Sequence, residues 1–167
     1  MFGCVFIMGY QVSALRADEF RHLFGLDDES LARHGARRMT VDVKPGYPCR
    51  LTLEDAEPGE SVLLVNYEHL AVNTPYRSAD AVFVREGATT CPPITNRIPE
   101  QLKIRLLSIR AFDADGMMVD AEVVHGEESE SIIRKLLGDP RVDYLHIHNA
   151  KPGCYAARVD RVGRTDA

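Results

Sequence analysis

Asn149-Ala-Lys-Pro-Gly153 separates two runs of alternating residues, Asp143 to His148 and Cys154 to Arg158, and no other stretch restricts the fold of this chain so tightly. Asn, Pro and Gly together set a turn, and flanking runs of period two are strands, so the pattern predicts a β-hairpin. With those five residues as the loop, His148 pairs with Cys154, His146 with Ala156 and Tyr144 with Arg158. Alternation then directs these six side chains to one face and Leu145, Ile147, Tyr155 and Ala157 to the other. The apolar face suits a core. The polar face is either an ordinary solvated surface or the floor of a site.

The rest of the chain reads as short elements. Val12 to Leu15 begins a strand, and Arg16 to Phe24 reads as a helix with Phe20, Leu23 and Phe24 on one face. Asp27 caps a short helix through Arg33. Arg37 to Val43 alternates as a strand. Ser61 to Tyr67 is a continuous apolar run that fits the centre of a sheet covered on both faces. Ala81 to Arg85 is another strand, Gly87 to Arg97 a loop around Pro92 and Pro93, and Pro99 opens a short helix through Lys103. Ile104 to Asp113 and Met117 to Val124 flank Asp115-Gly116, a hairpin signal. Glu127 to Leu137 is the clearest helix: acidic residues lead it, Arg134 and Lys135 close it, and Gly138 and Pro140 end it. Strands with few helices between them predict an α+β fold, mainly antiparallel. Residues 1–8 are read as a disordered extension, since Met8 offers an alternative start, and 9–167 as one domain.

Composition narrows the function classes. The 167 residues are 45% hydrophobic, enough for a sizeable core. Twenty basic against twenty-five acidic residues give a net charge of -5, which argues against a general nucleic-acid binder. No stretch is long and apolar enough to span a bilayer. Cys4, Cys49, Cys91 and Cys154 are widely separated and form no C-x-x-C pair, so a zinc ribbon or thioredoxin-like motif is excluded and reduced thiols in a cytoplasm are expected. Glycine-rich phosphate loops and the G-x-S-x-G elbow are also missing.

Several segments together resemble a known family: Tyr47-Pro-Cys-Arg50, Leu53-Glu-Asp-Ala-Glu-Pro-Gly-Glu60, Asn66-Tyr-Glu-His69, Thr74-Pro-Tyr-Arg77, Val84-Arg-Glu86, Arg110-Ala-Phe-Asp113, His148-Asn-Ala150 and Gly153-Cys-Tyr-Ala-Ala-Arg-Val-Asp-Arg161. The set is similar to a bacterial domain-of-unknown-function family of small cytoplasmic proteins, and the likeness runs from about Tyr10 onward. It implies a single bacterial domain. The family has no assigned activity, cofactor or catalytic residue to carry over.

Three chemistries fit the reactive residues, each with a plainer rival. His146 and His148 in a His-x-His spacing, with Cys154 opposite, form a candidate zinc site, to which His69 or His125 could add a ligand. The rival is a polar strand beside a half-buried thiol. Cys154 is a candidate nucleophile with His148 as its base, and Cys49 beside Arg50 is a second candidate thiol; the plainer reading of both is as buried structural cysteines. A Cys49–Cys154 disulfide is a further option. Arg50, Arg77, Arg85 and Arg110 lie in or beside strands, where each must pair with a carboxylate or receive a ligand's anion. Glu54, Glu68, Glu86 and Asp113 are the internal partners on hand.

The sequence therefore points to a small polar or anionic molecule bound on the sheet. His148 and Cys154 are its candidate catalytic residues, His146, His148 and Cys154 its candidate metal ligands, and Arg110, Arg77, His69, Tyr76, Tyr144 and Arg158 its candidate ligand-binding residues. The alternative is a non-catalytic, homodimeric interaction module, which requires a flat histidine face, apolar surroundings for the cysteines and internal pairing of every arginine.

Overall fold

The computed structural model describes residues 9–162. The extension expected at 1–8 lies outside the described residues, as does Cys4. In chain order the strands are β1 (Tyr10–Ser13), β2 (Arg37–Thr40), β3 (Ser61–Leu70), β4 (Ser78–Arg85), β5 (Ile94–Thr95), β6 (Leu106–Phe112), β7 (Met118–His125), β8 (Tyr144–Asn149) and β9 (Tyr155–Arg161). The helices are α1 (Asp28–Arg33), α2 (Glu100–Lys103) and α3 (Ser129–Leu137). Six strands form one sheet in the order β5-β1-β9-β8-β6-β7 and three form another, β2-β3-β4. Every strand pair is antiparallel, so the fold is α+β as the patterns predict. Among the described residues, no helix is long and apolar enough to cross a membrane.

The six-stranded sheet is covered on both faces. On one, Leu107, Ile109, Leu145, Ile147, Ala157 and Val159 pack against Leu102 of α2 and Ile133, Leu136 and Leu137 of α3. On the other, Tyr155 joins Leu63, Val65, Val82 and Val84 of the three-stranded sheet, together with Leu31, Cys49 and Leu51. Burial of both sets of side chains supplies the main cohesion of the fold. It also leaves every residue of β8 buried. The histidine-bearing part of the terminal hairpin's polar face is therefore interior, roofed by the second sheet.

Local sequence accounts for most elements. Asp27 caps α1 by accepting from the Ser30 N–H at 2.7 Å. The α3 termination is assisted from a distance: Arg161 donates to Leu137 O, Asp139 O and Val142 O, satisfying carbonyls at and just beyond the end of the helix. The helix expected over Arg16 to Phe24 is instead two 3₁₀ turns, Ala17–Glu19 and Arg21–Leu23. Its buried residues Ala17, Phe20 and Leu23 recur every third position, which matches the three-residue period of the tighter helix. The expected loop at Gly87 to Arg97 contains the edge strand β5, and β4 begins at Ser78, three residues ahead of the sequence reading.

Candidate metal centre

The terminal hairpin forms, with a register that differs from the expected one. Asn149 N–H donates to Cys154 O at 2.9 Å, so the loop holds four residues and Cys154 faces Asn149. His148 lies opposite Tyr155, a bulge follows, and Ile147 then pairs with Ala157, His146 with Arg158 and Leu145 with Val159. One residue fewer in the loop and one extra at the bulge reassign the faces. Tyr155, expected among the core-facing residues, moves to the histidine side, and Ala156 joins the apolar core. Cys154 no longer opposes His148.

His69 of β3 completes a cluster that spans the two sheets. One ring nitrogen from each of His69, His146 and His148 lies within 4.8 Å of the other two. Ring centroids are 4.9 Å apart for His69 and His148, 5.6 Å for His69 and His146, and 6.4 Å for His146 and His148. His69 reaches this position where the β3–β4 register shifts between Tyr67 and Leu70. Its ring stacks on Tyr155 at 5.1 Å. His146 is ringed by Phe112, Tyr144 and Tyr155, with centroids 5.0 to 5.5 Å away.

Hydrogen bonding fixes two of the three tautomers. His148 Nδ1 lies 3.0 Å from Gly153 O, and a carbonyl can only accept, so the proton sits on Nδ1 and Nε2 presents a lone pair. His69 Nε2 lies 3.1 Å from Asp80 Oδ2 and 3.1 Å from Ser78 Oγ. The carboxylate likewise holds the proton on Nε2 and frees Nδ1. Asp80 is itself fixed, accepting from Tyr155 N–H at 2.9 Å. His69 Nδ1, His146 Nδ1 and His148 Nε2 are all buried without a hydrogen-bond partner. Burying one such atom without a partner costs about 1–3 kcal/mol. Each ring therefore carries one buried nitrogen without a hydrogen bond.

The local electrostatics keep the rings neutral. Burial first, then the neighbouring histidines and Arg158 and Arg110, push His146 down to about 3. Burial and Arg110 push His148 down to about 4, against the Gly153 carbonyl and Asp80. Burial also lowers His69, opposed by Asp80. Neutral imidazole with a free lone pair is the metal-binding form.

The other expected site residues separate into two groups. Arg110 shares the histidine face, directly across from His146. It donates to Ser108 Oγ at 3.2 Å and, among the described residues, has no carboxylate partner. Tyr144 and Arg158 are also adjacent, with the guanidinium 4.2 Å above the Tyr144 ring and paired to Asp160. Arg77 and Tyr76 stand apart: Arg77 is exposed and bonded to Glu68 at 3.0 Å, and Tyr76 is exposed with its ring edge-on to Phe112. Arg85 pairs with Glu60 and not with Glu86, which is taken by Arg38. Cys154 lies outside the three-histidine set, its sulfur 2.9 Å from Arg50 Nη2. Asp80, Ser78 and Tyr155 were not singled out by the sequence. The alternation of Ser78 and Asp80 just ahead of an apolar strand is the only signal that could have found the first two.

The model of one family, described as "Protein of unknown function (DUF1203)", matches residues 46–161, which hold all three histidines, Asp80 and Arg110. No curated protein and no solved structure matches the chain.

Proposed function

The chain belongs to the DUF1203 family of unknown function, so its chemistry is read from its site, and we propose that His69, His146 and His148 bind a divalent transition metal, zinc fitting best. The observation that carries this reading is the fixed pair of tautomers, which aims the His69 Nδ1 and His148 Nε2 lone pairs away from their anchors. A carboxylate–histidine–metal relay through Asp80 orients the ligand and raises its basicity. Three imidazoles satisfy zinc while leaving a fourth position for water or a ligand atom. Tetrahedral coordination draws the three nitrogens to about 3.4 Å apart.

Arg110 supports an anionic ligand at that open position, because among the described residues its charge lacks a carboxylate partner and it lies across from His146 on the same face of the sheet. A metal-bound water beside it would serve hydrolysis or hydration of a small anionic substrate. The homodimeric module fits less well: the histidine face is roofed by the second sheet, and among the described residues Arg110 has no carboxylate partner. Metal analysis of protein purified without a histidine tag tests the reading. About one zinc or other divalent metal per chain is expected, falling below a tenth in His69→Ala or His146→Ala protein that remains folded. Metal-free protein that takes up none on addition of zinc overturns it.

A further inference from the structure

A second polar concentration adjoins the histidine cluster without belonging to it. A cavity of about 560 Å³ is walled by Arg50, Asp80, Asn149, Lys151 and Cys154, with Phe83 among its apolar residues. Arg50 is 1% exposed. Its donors go to Tyr155 O at 2.8 Å, Pro48 O at 2.5 Å and Cys154 Sγ at 2.9 Å. No carboxylate among the described residues pairs with it, and the neighbouring Arg105, itself bonded to Asp55, adds like charge. A guanidinium keeps its proton, and a buried charge demands compensation. Of the three atoms it touches, only sulfur can become anionic.

Asn149 reinforces this geometry. It is 4% exposed, its Nδ2 points to Cys154 Sγ at 3.7 Å, and its Oδ1 is buried without a partner. Two N–H donors thus converge on the sulfur, while an unused acceptor on the same wall awaits a donor from a ligand. Asp80, the one carboxylate of the wall, is already engaged by His69 and the Tyr155 N–H.

We propose that Cys154 is a nucleophilic thiolate, paired with Arg50, that reacts with small hydroperoxides entering this cavity. A hydroperoxide carries the hydroxyl hydrogen that Asn149 Oδ1 can accept. The sulfur lone pair attacks the terminal oxygen, an S–O bond forms as the O–O bond breaks, and the transferred oxygen keeps its hydrogen. Sulfur is oxidised by two electrons to the sulfenic acid, and the peroxide is reduced. The departing alkoxide or hydroxide takes a proton from solvent and leaves as alcohol or water.

The test treats the full chain with hydrogen peroxide, with a chelator present so that bound metal contributes nothing. Dimedone traps sulfenic acid, and peptide mapping assigns it to each cysteine. Cys91, half-buried, is the internal comparator. Cys154 is expected to be trapped at least about tenfold faster than Cys91. In Arg50→Met, or in Asn149→Ala where the arginine variant fails to fold, the Cys154 rate falls severalfold while that of Cys91 holds. Mere loosening of the structure would instead speed trapping at Cys154. A wild-type Cys154 rate no greater than that of Cys91, or an unchanged or faster rate in the folded variant, overturns the proposal.

Discussion

A neutral imidazole has one proton, and a neighbour that can only accept decides which nitrogen carries it. At His69 that neighbour is Asp80, and at His148 it is the Gly153 carbonyl. Replacing Asp80 by Asn leaves an amide of the same shape, but removes the negative charge that orients the His69 ring. Zinc affinity in Asp80→Asn protein, read by competition with a chromophoric chelator, should fall about 10- to 100-fold. An unchanged affinity would mean that Asp80 plays no part in holding the ligand. Away from the cluster, Glu86 shows how a single carboxylate contributes to stability. It accepts from Arg38 twice, from Ser61 Oγ and from the Gly25 N–H. These donors, Arg38 foremost, lower it from 4.5 to about 2. A depressed carboxylate stabilises the fold above its unfolded value and loses that contribution as pH falls through the folded one. Glu86→Gln should therefore unfold at lower urea than wild type at pH 7, by on the order of 2 kcal/mol. The gap should close between pH 4.5 and pH 2.

At the scale of elements, chain connections decide the geometry. The α2 and β7 ends meet at Gly126, where an added Cβ would lie 1.9 Å from the Leu102 carbonyl oxygen. Both partners are backbone, and Gly126 N–H is already bonded to Arg105 O at 2.8 Å. Gly126→Ala should cost more than about 3 kcal/mol, measured as a drop in the denaturation midpoint. A near-neutral result would show that this junction can slide. The terminal hairpin shows how far sequence reaches at this level. Period two and the Asn-Pro-Gly turn made two strands legible and put His146 and His148 on one side. The loop length and the bulge beside Ala156 were not legible, because a turn cluster marks a turn without fixing which residues close it. That difference moved Tyr155 onto the histidine face and took Cys154 away from His148. In the same way, Ala17, Phe20 and Leu23 signalled a buried stripe at Arg16 to Phe24 but not the 3₁₀ period that carries it.

For the whole molecule, the decisive contacts run between sheets. His146 and His148 come from the six-stranded sheet, His69 and Asp80 from the three-stranded one. No pattern within a strand predicts which remote residue will face it, so His69 was readable only as one of two candidate additional ligands, and Asp80 not at all. Under the proposed function, a bound ion would staple the two sheets together across the interior. The architecture also explains why a face rich in polar groups is buried: the second sheet closes over it and brings three imidazole rings together. Zinc K-edge X-ray absorption of the metal-loaded protein addresses this arrangement most directly. Three imidazole nitrogens should scatter at about 2.0–2.1 Å, with one or more light atoms completing the sphere and no sulfur. A sulfur shell near 2.3 Å, the zinc–thiolate distance, or fewer than three imidazoles on the ion, would contradict the three-histidine centre.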